Sequence, residues 1–292
     1  MESARCKAFM ESVERGSFRA ASEALGYTPS AVSQLVAALE KDLGLTLLIR
    51  SKRGVKTTPE GERLVPIVRS YLAREKEMYE LASEMQGLSV GDLTIAAYPS
   101  VATTWLPELV RNFSRDFPNI QFNILEGIRQ EIFAHLDRHE ADMAFLAYSE
   151  PMDYEWIPLA EEEMIAVLPE SHPLAGAKAY PVKECVNDSL IMTSWGEDRE
   201  ILDIFRKNKL NPQIKYTTYD TPAALAMVRM GLGVSIVNEL SAQYWNEHLV
   251  KLPLDPPEKV SFGIAYTSEE HMTAASKKFL DYAVRTLTKP EK

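Results

Sequence analysis

The spacing of apolar residues changes once along this chain, between Gly87 and Gly91, and that change divides the folds open to it. Before it, apolar residues recur at three and four, the stripe of amphipathic helices. After it, short apolar runs alternate with helical stretches, the pattern of sheets covered by helices. At roughly 100 to 200 residues per domain, 292 residues allow two domains. With 46% hydrophobic and 25% charged residues, the composition is that of a folded globular protein, neither disordered nor fibrous. No apolar run approaches the roughly 18 residues of a membrane-spanning helix, and the start (Met1 to Lys7) lacks a basic-then-apolar signal peptide. The expectation is a cytoplasmic protein with no membrane partner. Cys6 and Cys185 are too far apart in sequence to suggest a disulfide framework.

The net charge of −10 is uneven. Residues 1–88 hold 13 Lys/Arg against 12 Asp/Glu, whereas residues 89–292 hold 19 against 30. Arg50, Lys52, Arg53 and Lys56 place four cations in seven residues with no acid among them, either a solvated loop or a local field for a polyanion.

Cys6, Phe9, Met10 and Val13 stripe a helix over Glu2 to Arg15 that Gly16 stops. Ser17 begins a short, alanine-rich second helix closed by Gly26. Thr28 caps a third, and Pro29 suits its first turn because the N–H it lacks would be unpaired there. Val32, Val36, Leu39 and Leu43 form the inner face of that helix, leaving Ser30, Ser33 and Gln34 outside near its start. Two helices joined by a tight turn, the second opening on small polar residues, are what a helix-turn-helix needs to enter a major groove. Gln34 can pair bidentately with adenine, and serine hydroxyls can bond bases or phosphates. Leu45 to Arg50 reads as a strand, with a hairpin returning through Val55 to Thr57 as a basic wing. The candidate DNA-binding set is Ser17, Arg19, Thr28, Ser30, Ser33, Gln34, Arg50, Lys52 and Arg53, with double-stranded DNA as partner.

Gly16-Ser17-Phe18, Ala20-Ala21, Leu25, Thr28-Pro29-Ser30-Ala31-Val32-Ser33-Gln34, Leu39-Glu40, Leu43-Gly44, Leu47, Arg50, Arg53 and Thr58-Pro59-Glu60-Gly61 together resemble the N-terminal signature of LysR-type transcriptional regulators. The match runs unbroken over roughly residues 5 to 65, with Leu48 where the family usually has phenylalanine. The resemblance implies an α/β protein with a winged helix-turn-helix over 1–58, a linker and dimerisation helix over 59–90, and an effector-binding domain over 91–292. That last domain would be two-lobed and periplasmic-binding-protein-like, with lobe I about 91–160 and 267–292, lobe II about 161–266, and crossing strands near 160 and 266.

After Thr58 as cap and Pro59 as first residue, Leu64, Tyr71, Met78 and Met85 recur at sevens. Ile67 or Val68, Leu81 and Leu88 form a second row that Arg74 and Glu75 interrupt. A helix of about 28 residues spans roughly 40 Å and is too long to stand alone. Because no segment between Thr58 and Gly91 covers it, a homodimer through this helix is expected; the resemblance implies antiparallel pairing and tetramers through the sensor. Pro66, inside the helix, is expected to kink it.

Beyond Gly91, Leu93–Ala97, Ile120–Leu125, Asp142–Ala147, Met164–Leu168, Leu190–Thr193, Gln213–Thr217 and Val234–Val237 read as strands of parallel sheets. Helices are expected near Arg199–Asn208 and Thr221–Met230. Glu161-Glu162-Glu163 reads as a solvated turn. The runs from Glu163 to Pro169, from His172 to Ala175, and Gly231-Leu232-Gly233-Val234 resemble landmarks of the family's second lobe, and Asn238, replacing a common proline, can cap the next helix.

Ligands of open α/β sheets collect at carboxyl ends of strands, beside helix N-termini. Ser100 with Thr103, Thr193 with Ser194, and Thr221 stand at such ends, each readable as a plain N-cap or as part of an effector cleft. Tyr98, Glu126, Tyr148 and Trp195 are weaker candidates for the same wall. Helix N-termini favour a small organic anion, and the acidic charge of this domain opposes one.

Enzyme readings find little support. His135 and His139 have metal-holding spacing but no following carboxylate base. Gly233-Val234-Ser235 is half of a nucleophile elbow, with Val237 in place of the closing glycine. No catalytic residue, metal or cofactor is assigned. The reading is a ligand-responsive DNA-binding regulator, with RNA polymerase as a further partner; the alternative is an α/β enzyme or solute-binding module with an appended helical domain.

Overall fold

The computed structural model describes residues 2–51, 54–85 and 91–288. The chain divides into two compact units, residues 1–88 and 89–292.

The first unit comprises α1 (Glu2–Glu14), α2 (Phe18–Leu25), α3 (Pro29–Leu43), the hairpin β1 (Leu48–Ser51) and β2 (Gly54–Thr57), and α4 (Pro59–Met85). Ser17 accepts from the amides of Arg19 and Ala20, and Thr28 from that of Ala31, so both helix starts fall where the sequence put them. Phe9, Val32, Val36 and Leu47 are fully buried in the core, but Leu43, in the last turn of α3, is 46% exposed and does not belong to it. The strand expected from Leu45 begins only at Leu48, because a Glu40 carboxylate oxygen takes the amides of Leu47 (2.8 Å) and Leu48 (3.1 Å) before the ladder starts. Gly54 sits at φ +123, where a β-carbon would lie 2.4 Å from the Gly16 carbonyl oxygen, so the wing closes against the end of α1 only with glycine there.

Helix α4 continues through Pro66. Its inner row differs from the expected seam: Val68 is buried in the N-terminal core, and Leu64 and Leu72 pack against that core. The interruption at Glu75 has a cause in α1, where Ser3 (2.5 Å) and Lys7 (2.9 Å) both bond its carboxylate. Thus α1 covers part of a helix that local sequence left bare. Ile67, Tyr71, Met78, Leu81 and Met85 remain exposed, and Leu88 lies outside the described residues.

The second unit runs β3 (Gly91–Ala97), α5 (Pro99–Asp116), β4 (Ile120–Glu126), α6 (Arg129–Asp137), β5 (Met143–Ala147), β6 (Glu155–Pro169) and β7 (Tyr180–Pro181). It continues with β8 (Leu190–Met192), α7 (Arg199–Lys207), β9 (Ile214–Thr217), α8 (Thr221–Arg229) and β10 (Ser235–Asn238). The chain ends in α9 (Glu239–Ala242), β11 (Leu249–Asp255), β12 (Lys259–Tyr266) and α10 (Ala274–Leu287).

The large sheet is mixed rather than parallel, whereas β8 and β9 pair parallel as expected. β3 pairs parallel with β4 and β5, whereas β12 lies antiparallel between β5 and β6. The first half of β6 pairs with β12 and its second half with β10 and β11, so β6 passes from one lobe into the other. Glu161, Glu162 and Glu163 are therefore strand, opposite Ser261, Val260 and Lys259, and not a turn. Their charge and Pro158 hid that half of β6 from a search for apolar runs. Asn238 accepts from the Ser241 amide at 2.9 Å and caps α9. Among the described residues no helix is long and apolar enough to cross a membrane.

Candidate DNA interface and effector cleft

At the start of α3, Thr28 and Ser30 share a hydroxyl hydrogen bond of 3.1 Å. Gln34 is exposed, one turn on, and its amide bonds no other described residue. Arg50 on β1 donates to the Ser33 hydroxyl (2.9 Å), pairs with Glu40 (3.1 Å) and stacks over the Phe18 ring. It is thus a brace between the wing strand and α3 rather than a freely solvated wing cation. Arg19 is exposed beside Glu23, while the Ser17 side chain is taken up by the α2 cap. Lys52 and Arg53 lie outside the described residues.

In the second unit, a cleft of about 180 Å³ lies between the lobes, where helices α5, α7 and α8 begin. Ser100, Thr103, Thr193, Ser194 and Thr221 all line it, as does Tyr98. Glu126 and Tyr148 do not: Glu126 is exposed at the end of β4, and Tyr148 turns its hydroxyl to Glu150. Trp195 is 61% exposed and also lies outside the lining. None of the three hydroxyl sites is a simple cap. Tyr98, Asp198 and Asp220 occupy the N-cap positions of α5, α7 and α8, and Ser100 falls in the first turn. Thr193 donates to Asp198 at 2.7 Å. Ser100 is 8% exposed, and its hydroxyl has no hydrogen-bond partner among the described residues.

Asp198, Glu200, Tyr219 and Asp220 complete the wall and were absent from the sequence reading. The two aspartates had a local signal, each standing one residue before an expected helix start. Polar contacts join the lobes across the cleft. The Tyr98 hydroxyl donates to Glu200 (3.2 Å), the Gln130 amide to Glu197 (2.9 Å) and the Arg199 guanidinium to the Glu150 carbonyl (3.0 Å). The Tyr219 hydroxyl donates to Glu131. Desolvation, reinforced by the charge of Asp198, holds the Glu200 carboxyl well above the usual carboxylate range, with Arg129 opposing. Burial and the same two acids raise the Tyr98 phenol.

The enzyme-like features resolve into structural roles. His135 pairs with Glu140 at 2.7 Å, and His139 lies beyond the end of α6 at φ +51, so the two do not form a helical i,i+4 pair. Ser235 is buried and donates to the Ile191 carbonyl. Burial pushes the Cys185 thiol up to about 12, far from the thiolate a nucleophile needs.

A winged helix-turn-helix joined to a two-lobed α/β domain with a cleft between its lobes is the architecture of a ligand-responsive, DNA-binding transcriptional regulator. Residues 4–62 match the family model of bacterial regulatory helix-turn-helix proteins of the lysR family, and residues 86–288 match that of the LysR substrate binding domain. The chain belongs to the LysR family. It is similar to the HTH-type transcriptional regulator YvbU of Bacillus subtilis (strain 168), with 29% identity over 95% of this chain and 96% of the relative. A full-length OxyR variant from Pseudomonas aeruginosa shares the fold at TM-score 0.76 and 20% identity, covering 98% of this chain and 94% of that one. The effector-binding domain of QuiR in complex with shikimate aligns at TM-score 0.63 and 25% identity, over 68% of this chain and 98% of that domain.

Proposed function

We propose that residues 1–58 read operator DNA through α3, that residues 59–90 pair two chains, and that residues 91–292 hold a small effector between lobes of about 91–160 with 267–292 and about 161–266. Such a regulator works in the cytoplasm, where its promoter DNA and RNA polymerase are. QuiR, in complex with shikimate, supports the cleft as the effector site, with Ser100, Thr103, Thr193, Ser194 and Thr221 as its polar contacts. Gln34 carries the DNA reading: it is exposed near the start of α3, its amide bonds no other described residue, and it stands beside an Arg50 braced against the same helix. Ser17, Arg19, Thr28, Ser30, Lys52 and Arg53 would position phosphates around it.

The test begins with duplexes selected by the full chain from a random pool. Gln34→Ala is expected to lose about 1–3 kcal/mol against the selected duplex while keeping its affinity for unselected DNA, since a bidentate base contact is lost and phosphate contacts stay. Equal losses on both duplexes in fluorescence anisotropy would remove Gln34 from base reading.

A further inference from the structure

The acids of the cleft change what it can hold. Asp198, Glu200 and Asp220 line it, and no lysine or arginine does among the described residues. The guanidinium groups around it are already engaged: Arg129 donates to the carbonyls of Ala147 (3.0 Å) and Ser149 (2.6 Å) and stacks over Phe133, Arg199 donates to the Glu150 carbonyl, and Arg229 lies over the Trp245 ring. Helix N-termini would ordinarily attract an anion, but Asp198 takes the Ile201 amide of α7, and Asp220 takes the Ala223 amide of α8. An incoming carboxylate or phosphate would therefore meet carboxylates at the starts of α7 and α8, and only α5, where Tyr98 gives no side-chain cap, presents its N–H groups without one. Tyr98, Tyr219, Tyr244 and Trp245 line the same space with aromatic rings, surfaces that favour a cation or an apolar body. Ser100 gives an independent sign that the cleft is built for a ligand, because the residue is more than nine-tenths buried in the wall while its hydroxyl, bonded to no other described residue, stays open to the cleft.

We propose that the cleft takes a small ligand bearing a protonated amine, the ammonium seated between Asp198 and Glu200 and a polar group on the ligand completing the Ser100 hydroxyl. This rests on the reading of the cleft as the effector site. An ammonium is a compact, three-donor cation, and two carboxyls crowded at one wall are the acceptors it needs. Without it, burial and the neighbouring Asp198 charge favour the protonated form of Glu200. Asp198 ahead of α7, Tyr98 after β3 and Arg129 on α6 are the titratable and charged groups that act on it. Seating the ammonium releases that proton to solvent. The Tyr98–Glu200 bond joins the two lobes, so a cation at Glu200 acts where the lobes meet.

The probes are benzylamine, phenethylamine and putrescine, each against an anion of similar size: benzoate, phenylacetate and succinate. Thermal shift and calorimetry on the full chain are expected to show binding of at least one amine at millimolar concentration or below, and none of the anions. Glu200→Gln and Asp198→Asn, which keep shape and acceptor oxygens, should each weaken the amine at least tenfold. Binding of an anion, binding of none of the amines, or an amine affinity unchanged in both variants overturns the proposal. Ser100→Ala separates the two readings. An anion whose binding this variant abolishes leaves the cleft as effector site and refutes only the ligand class. Any probe bound equally well by Ser100→Ala, Thr221→Ala and Glu200→Gln removes the effector from the cleft altogether.

Discussion

Glu162 shows how a single side chain can carry a pH dependence that its neighbourhood in sequence conceals. Burial on β6, with the charge of Glu239 adding, pushes its carboxyl from 4.5 up to about 7. A carboxyl raised in the folded state binds its proton more tightly there than in the unfolded chain, so its contribution is greatest below about 4.5 and is lost as pH rises towards 7. Glu162→Gln is therefore expected to raise Tm at pH 8 and to leave it nearly unchanged at pH 4.5; an equal effect at both would mean that Glu162 is ionised throughout. Gly233 is the steric counterpart. A β-carbon there would lie 1.9 Å from the Ser189 carbonyl oxygen, which also accepts the Val234 amide at 2.9 Å. Gly233→Ala must displace backbone, and a loss of roughly 1–3 kcal/mol in denaturant unfolding is expected. The sequence offered Gly233 as a family landmark, but the facing carbonyl that explains it comes from Ser189, in a different part of the chain.

Among the elements, α4 marks the boundary between local and long-range legibility. Its start at Thr58-Pro59 and its exposed stripe of Tyr71, Met78 and Met85 could be read from residue type and spacing alone. The place of Glu75 could not, since Ser3 and Lys7 reach it from α1, at the other end of the unit's sequence. The strands divide the same way. β3, β4 and β5 announce themselves as apolar runs, whereas the first half of β6 carries Pro158 and three glutamates, and β12 takes its antiparallel place only by lying between β5 and β6. For α4 the exposed stripe predicts self-association. Met78, 58% exposed, should be covered in a dimer, so Met78→Glu would bury an unpaired charge. Sedimentation of the full chain is expected to show at least a tenfold weaker dimer; an unchanged assembly would place the contact on another element.

At the scale of the molecule, the cleft was half legible. Hydroxyls at strand ends are a local pattern, and Ser100, Thr193, Ser194 and Thr221 indeed meet around one space. The pairing of Tyr98 with Glu200, 102 residues apart, depends on how the two lobes face each other, which no local pattern encodes. The division of labour between the units also yields a prediction. An effector acts only through its differential affinity for the arrangements of the lobes, so a cleft substitution should alter the response and leave the DNA contacts alone. Ser100→Ala should cost about 1–3 kcal/mol in binding of a compound identified by thermal-shift screening, through hydrogen bonds no longer made. Its affinity for a selected operator without that compound should stay at the wild-type value. Calorimetry and anisotropy on the same variant give both numbers. Parallel losses would indicate damaged folding, and no loss in either would move the effector away from Ser100.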